Sequence, residues 1–157
     1  AASDVYKRQT HNGRANFVAE ALPDQTEWQQ AKGDDGIFVL QTFRSHDQYN
    51  TTIYGLDDRY RGIYGEREVV FMNSKDMDAL GFEPSDRVDI IGDHDDAIDR
   101  IAKNFRVVPY DIPRGCVAGY YPELNILVPH QSFGDKSYTP ASKSVPVRFR
   151  PTVSANQ

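Results

Sequence analysis

The sequence predicts a mainly β domain that closes into a barrel, and three observations carry the prediction. Six short runs, at 37–43, 68–72, 87–92, 105–110, 116–120 and 145–150, are β-branched, aromatic or alternating and are bounded by turn residues. Only one or two stretches can form short helices, and six short strands left open would expose unpaired edges that closure removes. The length, 157 residues, fits about one domain with a single core.

The elements follow in chain order. Residues 1–35 read as a lead-in segment of polar residues and turns, in which only 24–30, capped by Asp24, can form a short helix. The start has neither an initiator Met nor a signal-peptide core, so the chain reads as a piece of something longer, with its first residues non-native. Ile37-Phe38-Val39-Leu40-Gln41-Thr42-Phe43 has the look of a buried strand, as does Glu68-Val69-Val70-Phe71-Met72. Residues 73–81 then supply a cap (Asn73 or Ser74), early acids and a terminal Gly81, the signature of a two-turn helix. Pro84-Ser85-Asp86 reads as a type I turn into the alternating strand Arg87-Val88-Asp89-Ile90-Ile91-Gly92. Residues 99–103 read as a helical turn before the strand at 105–110, and strands at 116–120 and 145–150 complete the set. Seven prolines from 109 to 151 imply many pinned loops in the last third. The barrel is thus assigned to 36–151 and a tail to 152–157.

Charge and cysteine content exclude several classes. With 23 acidic and 18 basic residues the net charge is −5, which disfavours binding a nucleic-acid backbone through bulk charge. No apolar run approaches the ~20 residues of a membrane helix. The one cysteine, Cys116, excludes an internal disulfide and a Cys-only metal site within this chain, and points to a reducing, cytoplasmic compartment. No Gly-x-Ser-x-Gly elbow, phosphate loop, dinucleotide glycine fingerprint or His-Glu-x-x-His occurs, so no self-contained catalytic machine is visible.

Three segments carry binding chemistry. Leu40-Gln41-Thr42-Phe43-Arg44-Ser45-His46-Asp47-Gln48-Tyr49-Asn50-Thr51-Thr52 is an apolar strand that empties into polar residues without Gly or Pro. Thr42, Arg44, Gln48, Asn50 and Thr51 offer a guanidinium fork, carboxamides and hydroxyls, a kit for phosphate and for a heterocycle with amide-like edges. The same segment can equally be a loop that satisfies its own backbone. In Gly119-Tyr120-Tyr121-Pro122-Glu123-Leu124-Asn125, paired tyrosines can stack or hydrogen-bond and Asn125 calls for a partner, or the segment is an ordinary strand and turn. Thr139-Pro140-Ala141-Ser142-Lys143-Ser144-Val145-Pro146-Val147-Arg148 sets one lysine among hydroxyls before the last strand, a solvated loop if taken alone. Asp93-His94-Asp95-Asp96 has hard-metal ligand types at a spacing that fits no calcium loop and reads as a solvated turn. Residues 57–64 are rich in Arg and Tyr, as interface anchors are.

In this order, the three segments and the helix-turn-strand at 76–90 resemble the C-terminal molybdopterin-dinucleotide-binding domain of molybdenum oxidoreductases of the dimethyl-sulfoxide-reductase family, nearest the formate-dehydrogenase-like alpha subunits. The resemblance covers about 36–151 and is most specific at 40–51 and 120–125. It implies a six-stranded double-psi barrel, bacterial origin, and a shared bis-(molybdopterin guanine dinucleotide) cofactor carrying Mo or W. Thr42 and Arg44 would bind phosphate or pterin; Gln48, Asn50 and Thr51 would add donors and acceptors. Asn125 and Lys143 would reach the pterin, and Tyr120 and Tyr121 would line or support the pocket. The metal ligand, the catalytic groups and a 4Fe-4S cluster would lie upstream, making this chain catalytically silent alone, with upstream domains and a small-molecule redox substrate as partners. The alternative is a stand-alone double-psi barrel acting as a protein-interaction or substrate-recognition module through 57–64. A hydrolase built on Cys116 with His46 or His130 is the remotest reading.

Overall fold

Strand β1 (Phe38–Phe43) is followed by β2 (Val69–Met72), α1 (Ser74–Leu80), β3 (Arg87–Gly92), β4 (Ile101–Pro109), β5 (Cys116–Tyr120), a 3-10 turn (Glu123–Leu127) and β6 (Val145–Pro151). The computed structural model describes residues 10–17, 19, 21, 36–49 and 55–152. The helix expected over 24–30 and the candidate site residues Asn50 and Thr51 lie outside the described residues. The six strands close into a barrel in the order β1-β5-β2-β4-β3-β6. Two pairs, β1 with β5 and β2 with β4, are parallel, and the remaining four are antiparallel. Among the described residues, no helix is long and apolar enough to cross a membrane.

Alternation along the strands sorts side chains between the interior and an outer layer. Phe38 and Leu40 of β1, Val70 and Met72 of β2, Val88 and Ile90 of β3, and Val145 and Val147 of β6 meet inside, where α1 adds Met77. The other face of β2 is buried too: Val69 and Phe71 join Ile63, Val108 and Tyr120 in a second cluster. All four residues of β2 are therefore buried, which explains why that run is apolar rather than alternating.

The helix at 74–80 forms as its punctuation predicts. The Asn73 side chain accepts from the Lys75 N–H, and Gly81, at φ 71°, ends the helix in the left-handed conformation.

Two local expectations are corrected. The stretch 99–103 is not a helical turn, because β4 begins at Ile101. Ala102 faces the core and Lys103 faces out; Asn104, at φ 63°, then adds a residue to β4, and the register with β3 shifts between Val88 and Ile90. That bulge switches the inward parity from Ala102 to Phe105 and Val107, so both halves of β4 reach the core. The turn at 83–86 closes with Asp86 N–H to Glu83 O at 3.1 Å, but Ser85 has φ 77°, which excludes type I and fits type II.

Candidate functional site

Strand order brings the three binding segments of the sequence to one rim, because β6, β1 and β5 are neighbours. The β1–β5 register pairs Phe43 with Tyr120, so Arg44 and Tyr121 leave the barrel side by side; the Tyr121 N–H donates to Phe43 O at 2.9 Å. The β1–β6 register pairs Leu40 with Val145 and, carried two residues further, sets Lys143 across from Thr42. There the Thr42 N–H and hydroxyl both donate to Ser142 O at 3.0 Å, and Lys143 Nζ donates back to Thr42 O.

Beyond this rim lies a cavity of about 830 Å³. Arg44, Asn125, Ser142 and Lys143 give it polar and cationic groups, while Phe43, Tyr121, Phe133 and Tyr138 give it aromatic walls. Its outer wall is the loop 129–141, folded on itself by a bridge between Phe133 and Pro140, with the Phe133 and Tyr138 rings 5.4 Å apart. Burial and the nearby Arg44 guanidinium push the Lys143 amine below the ordinary lysine value. Two cations beside aromatic faces suit an anionic ligand that also carries a planar ring.

Two buried networks stand behind the rim. Arg67, which is 2% exposed, donates from Nε to Glu123 Oε1 at 2.7 Å, from Nη1 to Ser45 Oγ at 2.9 Å, and from Nη2 to Gln48 Oε1 and Tyr121 O, both at 2.9 Å. Its guanidinium also lies 4.8 Å from the centre of the Tyr120 ring. In the second network the buried Asp58 accepts from Arg61 Nη1 at 2.5 Å and from the Tyr120 hydroxyl at 2.9 Å. Burial alone would raise the Asp58 carboxyl, but the bonds from Arg61 and Tyr120 outweigh it and hold the group below the usual carboxylate range. Burial and Asp58 together push the Tyr120 phenol well above its ordinary value.

Of the residues expected to bind, Arg44, Tyr121, Asn125 and Lys143 line the cavity. Thr42, Gln48 and Tyr120 are buried behind it. Thr42 is engaged with Ser142, and Tyr120 supports the rim from beneath. Gln48 spends its carbonyl on Arg67, and its buried Nε2 has no hydrogen-bond partner among the described residues. In the 93–96 run two of the three carboxylates go to arginines, Asp93 to Arg148 at 3.1 Å and Asp96 to Arg100 at 2.7 Å, while His94 Nε2 meets Leu127 O at 3.1 Å. Cys116 opens β5, at the opposite end of the strand from Tyr120 and the cavity.

Sequence reasoning missed Arg67 and the aromatic loop wall. Arg67 had a signal: counted back from β2 with period two, it shares the face of Val69 and Phe71, the cluster that holds Tyr120. Phe133 and Tyr138 are apolar rings in an otherwise polar loop, exposed by 44% and 74%, a pattern that marks a contact surface.

A family model described as Molydopterin dinucleotide binding domain matches residues 38–146. An uncharacterized oxidoreductase of Mycobacterium tuberculosis strain H37Rv is 47% identical over 153 residues, covering 95% of this chain and 19% of its own length. An uncharacterized oxidoreductase of Mycobacterium bovis aligns with the same figures, 47% over 153 residues. Protein YdeP of Escherichia coli K12 is 37% identical over 147 residues, covering 91% of this chain and 19% of its own. The chain thus spans about a fifth of the length of the curated relatives it matches.

Proposed function

Because the chain belongs to the molybdopterin dinucleotide binding domain family, we propose that it is the cofactor-holding C-terminal domain of a larger, formate-dehydrogenase-like oxidoreductase, and that the cavity at the β6–β1–β5 rim receives the dinucleotide. The observation that carries this reading is the convergence of Arg44, Tyr121, Asn125 and Lys143 on one cavity from three segments far apart in sequence.

The residues present fit such a group. A cavity of about 830 Å³ falls within the roughly 300–1,000 Å³ of small-molecule sites. Arg44 and Lys143 would take phosphate oxygens, the first as a fork and the second as a point charge. The Asn125 carboxamide would read the amide-like edge of a pterin or guanine, and Tyr121, Phe133 and Tyr138 would cover a planar ring. The cofactor we assign is bis-(molybdopterin guanine dinucleotide) with Mo or W, which when bound supplies two-electron redox chemistry for a small-molecule substrate. This chain's part is to bind and orient it, while upstream domains of the same polypeptide would add the metal ligand, the catalytic groups and a 4Fe-4S cluster. We place the assembled enzyme in the cytoplasm; the one cysteine of this chain accords with a reducing compartment.

The test uses the full-length protein. Arg44→Ala, Asn125→Ala and Lys143→Ala are each assayed for bound metal and released guanine nucleotide. Losing a charge-assisted bond at Arg44 or Lys143 is expected to weaken retention roughly tenfold to a hundredfold, and the neutral Asn125 less. Unchanged metal and nucleotide in all three variants would overturn the assignment.

A further inference from the structure

We propose that Arg67 is a positioning residue for the cofactor cavity: its guanidinium locks together the two chain segments that present Arg44 and Asn125. The inference rests on reading the cavity as the cofactor site.

Topology places Arg67 there. β2 runs antiparallel to β5 and pairs Val70 with Gly119, so the residues just before β2 lie beyond the end of β5, where the chain turns into the cavity wall. From that position Arg67 reaches both sides of the rim. On the β1 side it donates to Ser45 Oγ and Gln48 Oε1, which frame the loop that begins with Arg44. On the β5 side it donates to Tyr121 O and to both carboxylate oxygens of Glu123, at 2.7 and 3.3 Å, the first residue of the 3-10 turn that carries Asn125. The Tyr120 ring beneath the guanidinium fixes its plane.

Stability alone is a poor reason to bury such a group. A buried ion pair repays its desolvation only with near-complete hydrogen bonding, and an apolar residue of similar volume often serves as well. A planar fork with fixed donor directions does what an apolar residue cannot: it sets the distance and the angle between two loops at once. Arg67 is 2% exposed and does not line the cavity, so its effect on the cofactor passes through the residues it holds.

That routing gives a test which a merely structural role would fail. In the loaded full-length protein, the rate of cofactor release is followed by pterin fluorescence for Arg67→Lys, which keeps the charge but not the fork. The same substitution is then made in an Arg44→Ala/Asn125→Ala background. The expected result is release faster by roughly tenfold in the intact background and accelerated several-fold less by Arg67→Lys once Arg44 and Asn125 are gone, Tyr121 being the one held contact left. An equal acceleration in both backgrounds, or none in the intact one, would overturn the positioning role. Faster release from Arg44→Ala/Asn125→Ala with none from Arg67→Lys would overturn this inference alone. No change from Arg44→Ala/Asn125→Ala would overturn the cofactor contacts and, with them, the route through which Arg67 acts. Should Arg67→Lys not accumulate as folded protein, Glu123→Gln, which weakens one arm of the fork, goes through the same cycle with the same outcomes decisive.

Discussion

Asp58 shows how a single carboxylate ties a surface loop to the rim. It is 1% exposed, and it accepts from Arg61 on its own loop and from the Tyr120 hydroxyl at the end of β5. Arg61 in turn sits 4.5 Å over the ring of Phe43, a cavity-lining residue. Because the Asp58 carboxyl is held below its ordinary value, its contribution is present above the unfolded carboxylate value near ~4 and is lost as pH falls through the lower folded value. Asp58→Asn is therefore expected to destabilise the protein by about 1–3 kcal/mol at neutral pH. The gap to the wild type should close on acidification below about pH 4, as read from denaturant midpoints across the range. A gap that stays constant with pH would contradict the ionised Asp58. At this scale the sequence was legible where chemistry is local. Arg44, Asn125 and Lys143 stand out as polar or charged side chains beside apolar strands, but only the family resemblance singled them out from solvated loops. Arg67 does not stand out, because the residues that make it important, Ser45, Gln48, Tyr121 and Glu123, lie 19 or more positions away and meet only through barrel pairing.

Among the elements, β5 and the 3-10 turn after it are coupled through one glycine. A Cβ on Gly119 would stand 2.3 Å from Leu124 Cδ1 and 3.0 Å from Val69 O, and Leu124 is itself fully buried in the core. Gly119→Ala therefore forces the buried Leu124 side chain to shift, which is expected to displace the turn that carries Leu124 and Asn125. The expected cost is about 1–3 kcal/mol, accompanied by weaker cofactor retention. Gly81→Ala makes the comparison, since its Cβ would meet nothing within 4 Å but the residue sits at φ 71°. It should cost about 1–2 kcal/mol from backbone strain and leave retention unchanged. Equal retention in the two variants, read as bound nucleotide per folded protein, would contradict the coupling. All six strands and α1 could be read from hydrophobic period and caps, because those signals are local. The first half of β4 could not. Asp99, Arg100 and Lys103 give 99–103 a charged, helix-like texture, and only the bulge at Asn104, whose N–H is taken by Asp89 Oδ1 at 3.1 Å, reconciles it with the core. The left-handed Ser85 is likewise held by the distant strand β4, its N–H donating to Val107 O at 3.0 Å.

The whole molecule is a barrel with one specialised rim. Closure in the order β1-β5-β2-β4-β3-β6 places the starts of β2 and β6 and the ends of β1 and β5 together, so residues from four distant parts of the chain share one mouth. That juxtaposition is invisible to spacing arguments and was reached from sequence only through the family resemblance, which named residues without their arrangement. The structure divides that set into cavity-lining Arg44, Tyr121, Asn125 and Lys143 and supporting Thr42, Gln48 and Tyr120. A loop wall bearing Phe133 and Tyr138 completes the mouth. The most direct test is an experimental structure of the full-length protein purified with its cofactor. A molybdopterin dinucleotide is expected in the β6–β1–β5 cavity, with phosphate or ring atoms within hydrogen-bond distance of Arg44, Asn125 and Lys143. A cofactor seated entirely elsewhere, with this cavity filled only by water, would contradict it.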